Sequence, residues 1–94
     1  MIKSIRHKGL RLLWLEDDTS RLPKEQIKKI SQRLLIIHNL KLLPQDLGAF
    51  PGLKGHKLSG ELNDYWSVRV TGNYRIIFQF ENGDAHLVDY LDYH

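Results

Sequence analysis

The feature that most constrains this chain is Asn82-Gly83, set between runs in which apolar and polar residues alternate. An Asn-Gly pair suits a two-residue hairpin, because a type I′ turn needs positive φ at both central positions. Upstream, Trp66, Val68 and Val70 alternate with Ser67, Arg69 and Thr71. Tyr74, Ile76, Phe78 and Phe80 then alternate with Arg75, Ile77, Gln79 and Glu81. A period of two over such runs predicts an antiparallel β meander. Register follows from keeping the apolar set on one face. With Thr71-Gly72-Asn73 as a loop, residue 70 pairs with 74, 68 with 76 and 66 with 78. A slip of one residue would split that face. Across Asn82-Gly83, residue 80 is expected to pair with 85, 77 with 88 and 75 with 90. The opposite face then collects Arg69, Arg75, Gln79, His86 and Tyr90, with Asp92 and His94 further along, while Asp89 turns toward the core beside Ile76.

The first half has a different period. Residues 2–7 suit a short edge strand, and Leu10, Leu13 and Trp14 mark a helix over Gly9–Glu16 that the acidic residues 16–18 end. Pro23 is placed at the first position of a longer helix, because its fixed φ suits that position and its missing N–H costs nothing there. Ile27, Ile30, Leu34, Ile37 and His38 recur at helical spacing, and the helix is expected to end near Asn39–Lys41. Leu43–Gly48 reads as one more helical turn and Phe50-Pro51-Gly52 as a loop. The order is β–α–α followed by a meander, an α+β layer pair in one domain spanning 1–94.

Composition narrows the function. Ninety-four residues suffice for one modest core, and 41% hydrophobic with 27% charged residues argues for a folded chain. There is no cysteine, so neither a disulfide framework nor a thiolate nucleophile exists; a cytoplasmic location is the expectation, with no membrane association. The longest apolar run is Leu34–Ile37, too short to cross a bilayer. Residues 1–47 carry ten Lys and Arg against five acids, and residues 48–94 four against six. A basic half of this kind either meets a polyanion or simply solvates a helix face. Lys24, Lys28, Lys29 and Arg33 lie on the polar side of the longer helix.

Several chemistries find little support. His56, His86 and His94 lack ligand spacing for a metal, and no cofactor is expected. Ser59 and Ser67 lack a nucleophile elbow, and the glycines match no phosphate loop. RNA cleavage by internal 2′-OH attack needs only a base, an acid and cations for the phosphorane charge. His56, Asp92, Tyr93 and His94 offer proton transfer, while Lys57, Arg69 and Arg75 offer charge.

The opening Met1–Leu10, the central His56-Lys57-Leu58-Ser59-Gly60 with Tyr65-Trp66-Ser67-Val68, Asn73-Tyr74-Arg75-Ile76 and the ending Val88-Asp89-Tyr90-Leu91-Asp92-Tyr93-His94 resemble the HigB toxins of the RelE superfamily. The resemblance runs end to end. It implies a RelE-like fold, a curved and mainly antiparallel sheet with N-terminal helices packed on one face. It implies a ribosome-dependent endoribonuclease acting on mRNA in the ribosomal A site, a HigA-type helix-turn-helix antitoxin, and contact with operator DNA only through that antitoxin. His56, Arg75, Asp92, Tyr93 and His94 fall on positions implicated in catalysis or in holding the scissile phosphate. Lys24, Lys28, Lys29, Arg33, Lys54 and Arg69 are the expected contacts to RNA or the ribosome. One departure stands out: relatives carry His-Pro-Leu-Lys-Gly where this chain has Ser59 in place of the lysine and Lys57 in place of the proline. If 57 and 59 share a strand face, Lys57 replaces the lost charge.

Overall fold

A computed structural model describes residues 1–92. Helix α1 covers Lys8–Glu16 and is capped by His7, whose Nδ1 accepts the Leu10 N–H at 3.2 Å. Asp17 then adopts the left-handed region at φ 55° and returns its N–H to the last turn, ending the helix. Pro23 precedes a short 3₁₀ turn, Lys24–Gln26, and the regular helix α2 runs Ile27–Asn39. The expected start is therefore displaced by one tight turn. Ile30, Leu34 and Ile37 form the buried stripe of α2. Further 3₁₀ turns at Gln45–Ala49 and Pro51–Leu53 bring Leu47 and Leu53 into the core.

The sheet contains β1 (His56–Lys57), β2 (Tyr65–Thr71), β3 (Tyr74–Glu81) and β4 (Asp84–Asp92), in that spatial order and antiparallel throughout. Outside β4, the N-terminal segment makes isolated parallel bridges, Ile2 to Ala85 and Ile5 to Val88. Val68, Ile76 and Phe78 on one sheet face meet Leu10, Ile30, Leu34 and Ile37 from the helices. All seven are fully buried, each contributing about 1.5–3 kcal/mol of transfer free energy. Among the described residues no helix is long and apolar enough to cross a membrane.

Both hairpin registers hold in part. Trp66 pairs with Phe78 and Val68 with Ile76, as the apolar pattern requires. The turn itself is Gly72-Asn73, with Thr71 opposite Tyr74, and an irregularity between Arg69 and Thr71 absorbs the extra residue. A bulge thus achieves what a three-residue loop was expected to do. In the second hairpin Phe80 pairs with Ala85 as expected, but Ile77 pairs with Asp89, Ile76 with Tyr90 and Arg75 with Leu91. The expected pairs 77 with 88 and 75 with 90 do not form. The cause is a bulge between His86 and Asp89: Leu87 sits at φ 52°, 38% exposed, with its N–H donating to Ser4 Oγ at 2.8 Å. The extra residue reverses the alternation beyond it. Val88 becomes fully buried, and Asp89 leaves the core for the outer face, where its Oδ1 accepts the Tyr90 N–H at 2.9 Å.

Candidate nucleic-acid interface

The face turned away from the helices is built from three cross-strand rows. Tyr65, Gln79 and His86 form one; His56, Ser67, Ile77 and Asp89 form the next; Arg69, Arg75 and Leu91 form the third. Tyr65, Ser67 and Ile77 are buried although Tyr65 and Ile77 stand outside the main core cluster. They form a separate floor beneath the polar groups of this face. Bulges on both sides of β3 bend the sheet around that floor.

Arg69 and Arg75 stand directly opposite one another on β2 and β3. Like charges so placed repel, a cost that an anion bound between them would remove. Arg75 is half-buried and its Nη1 donates to Ser67 Oγ at 3.3 Å, which orients the guanidinium along the sheet. Ser67 was absent from the expected site; its only signal was a small polar residue within an apolar run. His56 is exposed on the edge strand. Its Nδ1 lies 2.9 Å from the Lys54 carbonyl oxygen. A carbonyl only accepts, so Nδ1–H donates in this contact and Nε2 is the ring nitrogen left to meet another partner. Strand spacing and rise put the His56 Cα roughly 8 Å from that of Arg69 and roughly 12 Å from that of Arg75. Side chains of these lengths can converge on one phosphodiester.

Lys57 pairs with Trp66, so strand parity points it away from the His56 row. At this edge position it nevertheless lines a cavity of about 170 Å³ together with His56, Leu58 and Ser59. Strand β1 stops at Lys57, and Ser59 instead stands just before the 3₁₀ turn Gly60–Leu62. A shared strand face for 57 and 59 therefore does not exist; what they share is the cavity wall.

The C-terminal candidates are distributed differently from the expected register. Tyr90 and Asp92 lie on the helix side, opposite Ile76 and Tyr74, because the Leu87 bulge reversed their parity. Asp92 is exposed at the end of β4. Tyr93 and His94 lie outside the described residues. Tyr90 is stacked on Tyr74 at 5.3 Å and meets the His7 ring edge-on at 5.5 Å. Its hydroxyl donates to Oε1 of Gln26, itself 5% exposed. Burial, then the neighbouring Tyr74, Asp92 and Glu25, push the Tyr90 hydroxyl up to about 12. The sequence pattern gave no sign of this Gln26–Tyr90 tie.

Among the basic candidates, Lys24, Lys28, Lys29 and Lys54 are exposed. Arg33 is not a free surface cation. Its Nε donates to the Arg69 carbonyl at 3.1 Å and its Nη1 to Gln32 Oε1 at 2.7 Å, and burial lowers its pKa. It ties α2 to the sheet directly behind the Arg69 row. Among the described residues no group of His, Asp or Glu side chains could hold a metal ion.

The profile of the RelE-like toxin of type II toxin-antitoxin system HigB matches residues 3–94. The chain belongs to the HigB family of toxins. It is 42% identical to the Endoribonuclease HigB of Proteus vulgaris over 96 aligned positions, covering all of both proteins. It is 34% identical to Toxin HigB-1 of Vibrio cholerae serotype O1, covering all of this chain and 98% of that one. Among solved structures, a YoeB dimer from Staphylococcus aureus shares the fold, with a TM-score of 0.53 at 18% identity over 99% of this chain and 94% of that one. As the toxin of a type II system, this HigB-family chain has an antitoxin partner.

Proposed function

We propose that this chain is an endoribonuclease that cleaves mRNA on the ribosome and so arrests translation in the cytoplasm. The observation that carries this is the outer sheet face, where His56, Arg69 and Arg75 occupy adjacent rows of three neighbouring strands. Full-length similarity to a protein named Endoribonuclease HigB supports the activity class.

In this mechanism the 2′-OH is the nucleophile. Nε2 of His56 takes its proton, while Arg75, Arg69 and Lys57 stabilise charge on the phosphorane. The acid for the 5′-oxygen is assigned to the C-terminal residues Asp92, Tyr93 and His94, of which Asp92 ends β4 on the helix side and would act from the strand end rather than from the outer face. A face whose described imidazoles, His56 and His86, stand in separate rows makes a weak free-standing nuclease. The ribosome compensates by aligning the 2′-OH for in-line attack, converting orientation into rate. Lys24, Lys28, Lys29 and Lys54 add salt-dependent phosphate attraction to ribosomal RNA. The antitoxin is of the HigA type with a helix-turn-helix, and the toxin reaches operator DNA only through it.

Primer extension on a defined mRNA, with and without programmed ribosomes, tests this using the intact chain and one ending at Leu91. Cuts that need both ribosomes and the last three residues are expected. Cuts on naked RNA would replace ribosome dependence with independent cleavage. Ser59, in place of the lysine found in relatives, favours one further reading, a member that binds RNA without cutting it. Ribosome binding without any cuts would establish that reading instead.

A further inference from the structure

At the sheet edge opposite β1, the N-terminal segment and α1 enclose a groove of about 280 Å³. Its apolar lining is Ile2, Ile5, Trp14 and Leu15, and its polar lining includes Lys3 and Arg11 but no carboxylate. Leu15, which lines the groove, is 68% exposed, the highest exposure among the described large hydrophobic residues. Arg6 and Lys8 are exposed nearby and extend the positive rim. Arg11 is oriented across the groove by donating from Nη1 to the Ile5 carbonyl at 3.3 Å. Glu16, the last residue of α1, and then Asp17 and Asp18 follow Leu15 along the chain and are not part of the groove lining. The charged residues of the lining are thus cations alone.

We infer that this groove is the docking surface for the antitoxin, and that it takes a segment whose apolar side chains cover Leu15 and Trp14 and whose acidic residues face Lys3 and Arg11. Charge complementarity selects the occupant. A groove with two cations and no acid in its lining rejects a basic segment and attracts an acidic one. The apolar centre supplies the anchor and the charged rim the register. The placement has a functional consequence. Four strand spacings, roughly 19 Å, separate the N-terminal segment from β1 and His56. Binding at the groove and chemistry at His56 can therefore be altered independently.

This interface rests on the toxin reading above, and two readouts keep their failures apart. The chain and its antitoxin are produced together, separated, and their affinity is measured by biolayer interferometry. Ribosome-programmed mRNA cleavage is measured on the same preparations. Leu15→Glu is expected to weaken antitoxin binding at least 100-fold while cleavage stays within two-fold of the unaltered chain. Since Leu15 is largely exposed, the substitution costs the fold little. Lys3→Glu, which breaks no side-chain hydrogen bond, is expected to weaken binding about 10-fold and to flatten its salt dependence. Antitoxin affinity unchanged within two-fold in both variants would overturn the assignment. So would a free chain that is dimeric and becomes monomeric with Leu15→Glu while still binding antitoxin normally, because the groove would then belong to a second copy. Failure of cleavage by the unaltered chain, with the binding losses intact, would count against the nuclease reading alone.

Discussion

Removing one end of the Gln26–Tyr90 hydrogen bond leaves the other end without a partner. Gln26 is 5% exposed, so Tyr90→Phe strands a buried amide oxygen, and Gln26→Leu strands a half-buried phenol. An unsatisfied buried polar group costs about 1–3 kcal/mol, whereas removing both partners together is nearly neutral. Each single variant should therefore lose about 1–3 kcal/mol, and the double variant markedly less than the sum, a coupling of about 0.5–3 kcal/mol. For a domain of this length each kilocalorie shifts Tm by about 4–8 °C, so the single variants should melt roughly 4–24 °C lower. Urea titration followed by circular dichroism gives the four free energies. The pH dependence is a second signature. Tyr90 is held neutral up to about 12 in the folded state and ionises near 10 once unfolded. Below pH 10 its contribution is fully present. As pH rises from about 10 to about 12 the unfolded chain loses this proton first, so stability falls through that window. Tyr90→Phe should abolish that part of the alkaline loss. Strict additivity of the two substitutions, with an unchanged alkaline slope in Tyr90→Phe, would refute the tie as the anchor of the β4 end.

Three further outcomes follow from the geometry. Leu87→Gly relieves a left-handed residue worth about 1–2 kcal/mol, against about 0.5–1 kcal/mol of added chain entropy, so urea unfolding should show stability unchanged or raised by up to about 1.5 kcal/mol; a loss above 1 kcal/mol would mean the Leu87 side chain is itself a packing element. Lys57→Ala should slow ribosome-dependent cleavage by about 10²–10³-fold, the usual cost of losing a transition-state charge contact, with Tm unchanged; an unchanged rate would reject Lys57 as the substitute for the lysine missing at Ser59. The Asp46 carboxylate accepts the Leu42 and Lys41 amides at 2.9 and 2.7 Å, which hold its pKa below the usual carboxylate range. Its contribution is therefore complete above about pH 4 and lost as the pH falls below it, and Asp46→Asn should remove part of that acid-side decline in stability.

Much of the fold was legible because local rules and burial agreed. The buried stripe of α2, the Asn82-Gly83 hairpin and the Trp66–Phe78 pairing each follow from periodicity within a few residues. Arg69 and Arg75 fall on one face for the same reason, since β2 and β3 keep their alternation up to those positions, whereas His56 joins that face only through the pairing of β1 with β2. Asp92 was misplaced, and the missing information was tertiary. Arg33 shows the same limit: its spacing marks a solvated helix face, while its hydrogen bond to the Arg69 carbonyl depends on where β2 lies against α2.

The sequence by itself determined the apolar sets, the Asn82-Gly83 turn and the family, because each is written in the identity and spacing of neighbouring residues. Only the tertiary structure decided the parity of the last strand. There, an uninterrupted alternation would bury Asp89, and the chain avoids that cost by bulging at Leu87. The amide released by the bulge is satisfied by Ser4, 83 residues away, and no local pattern specifies a partner at that distance.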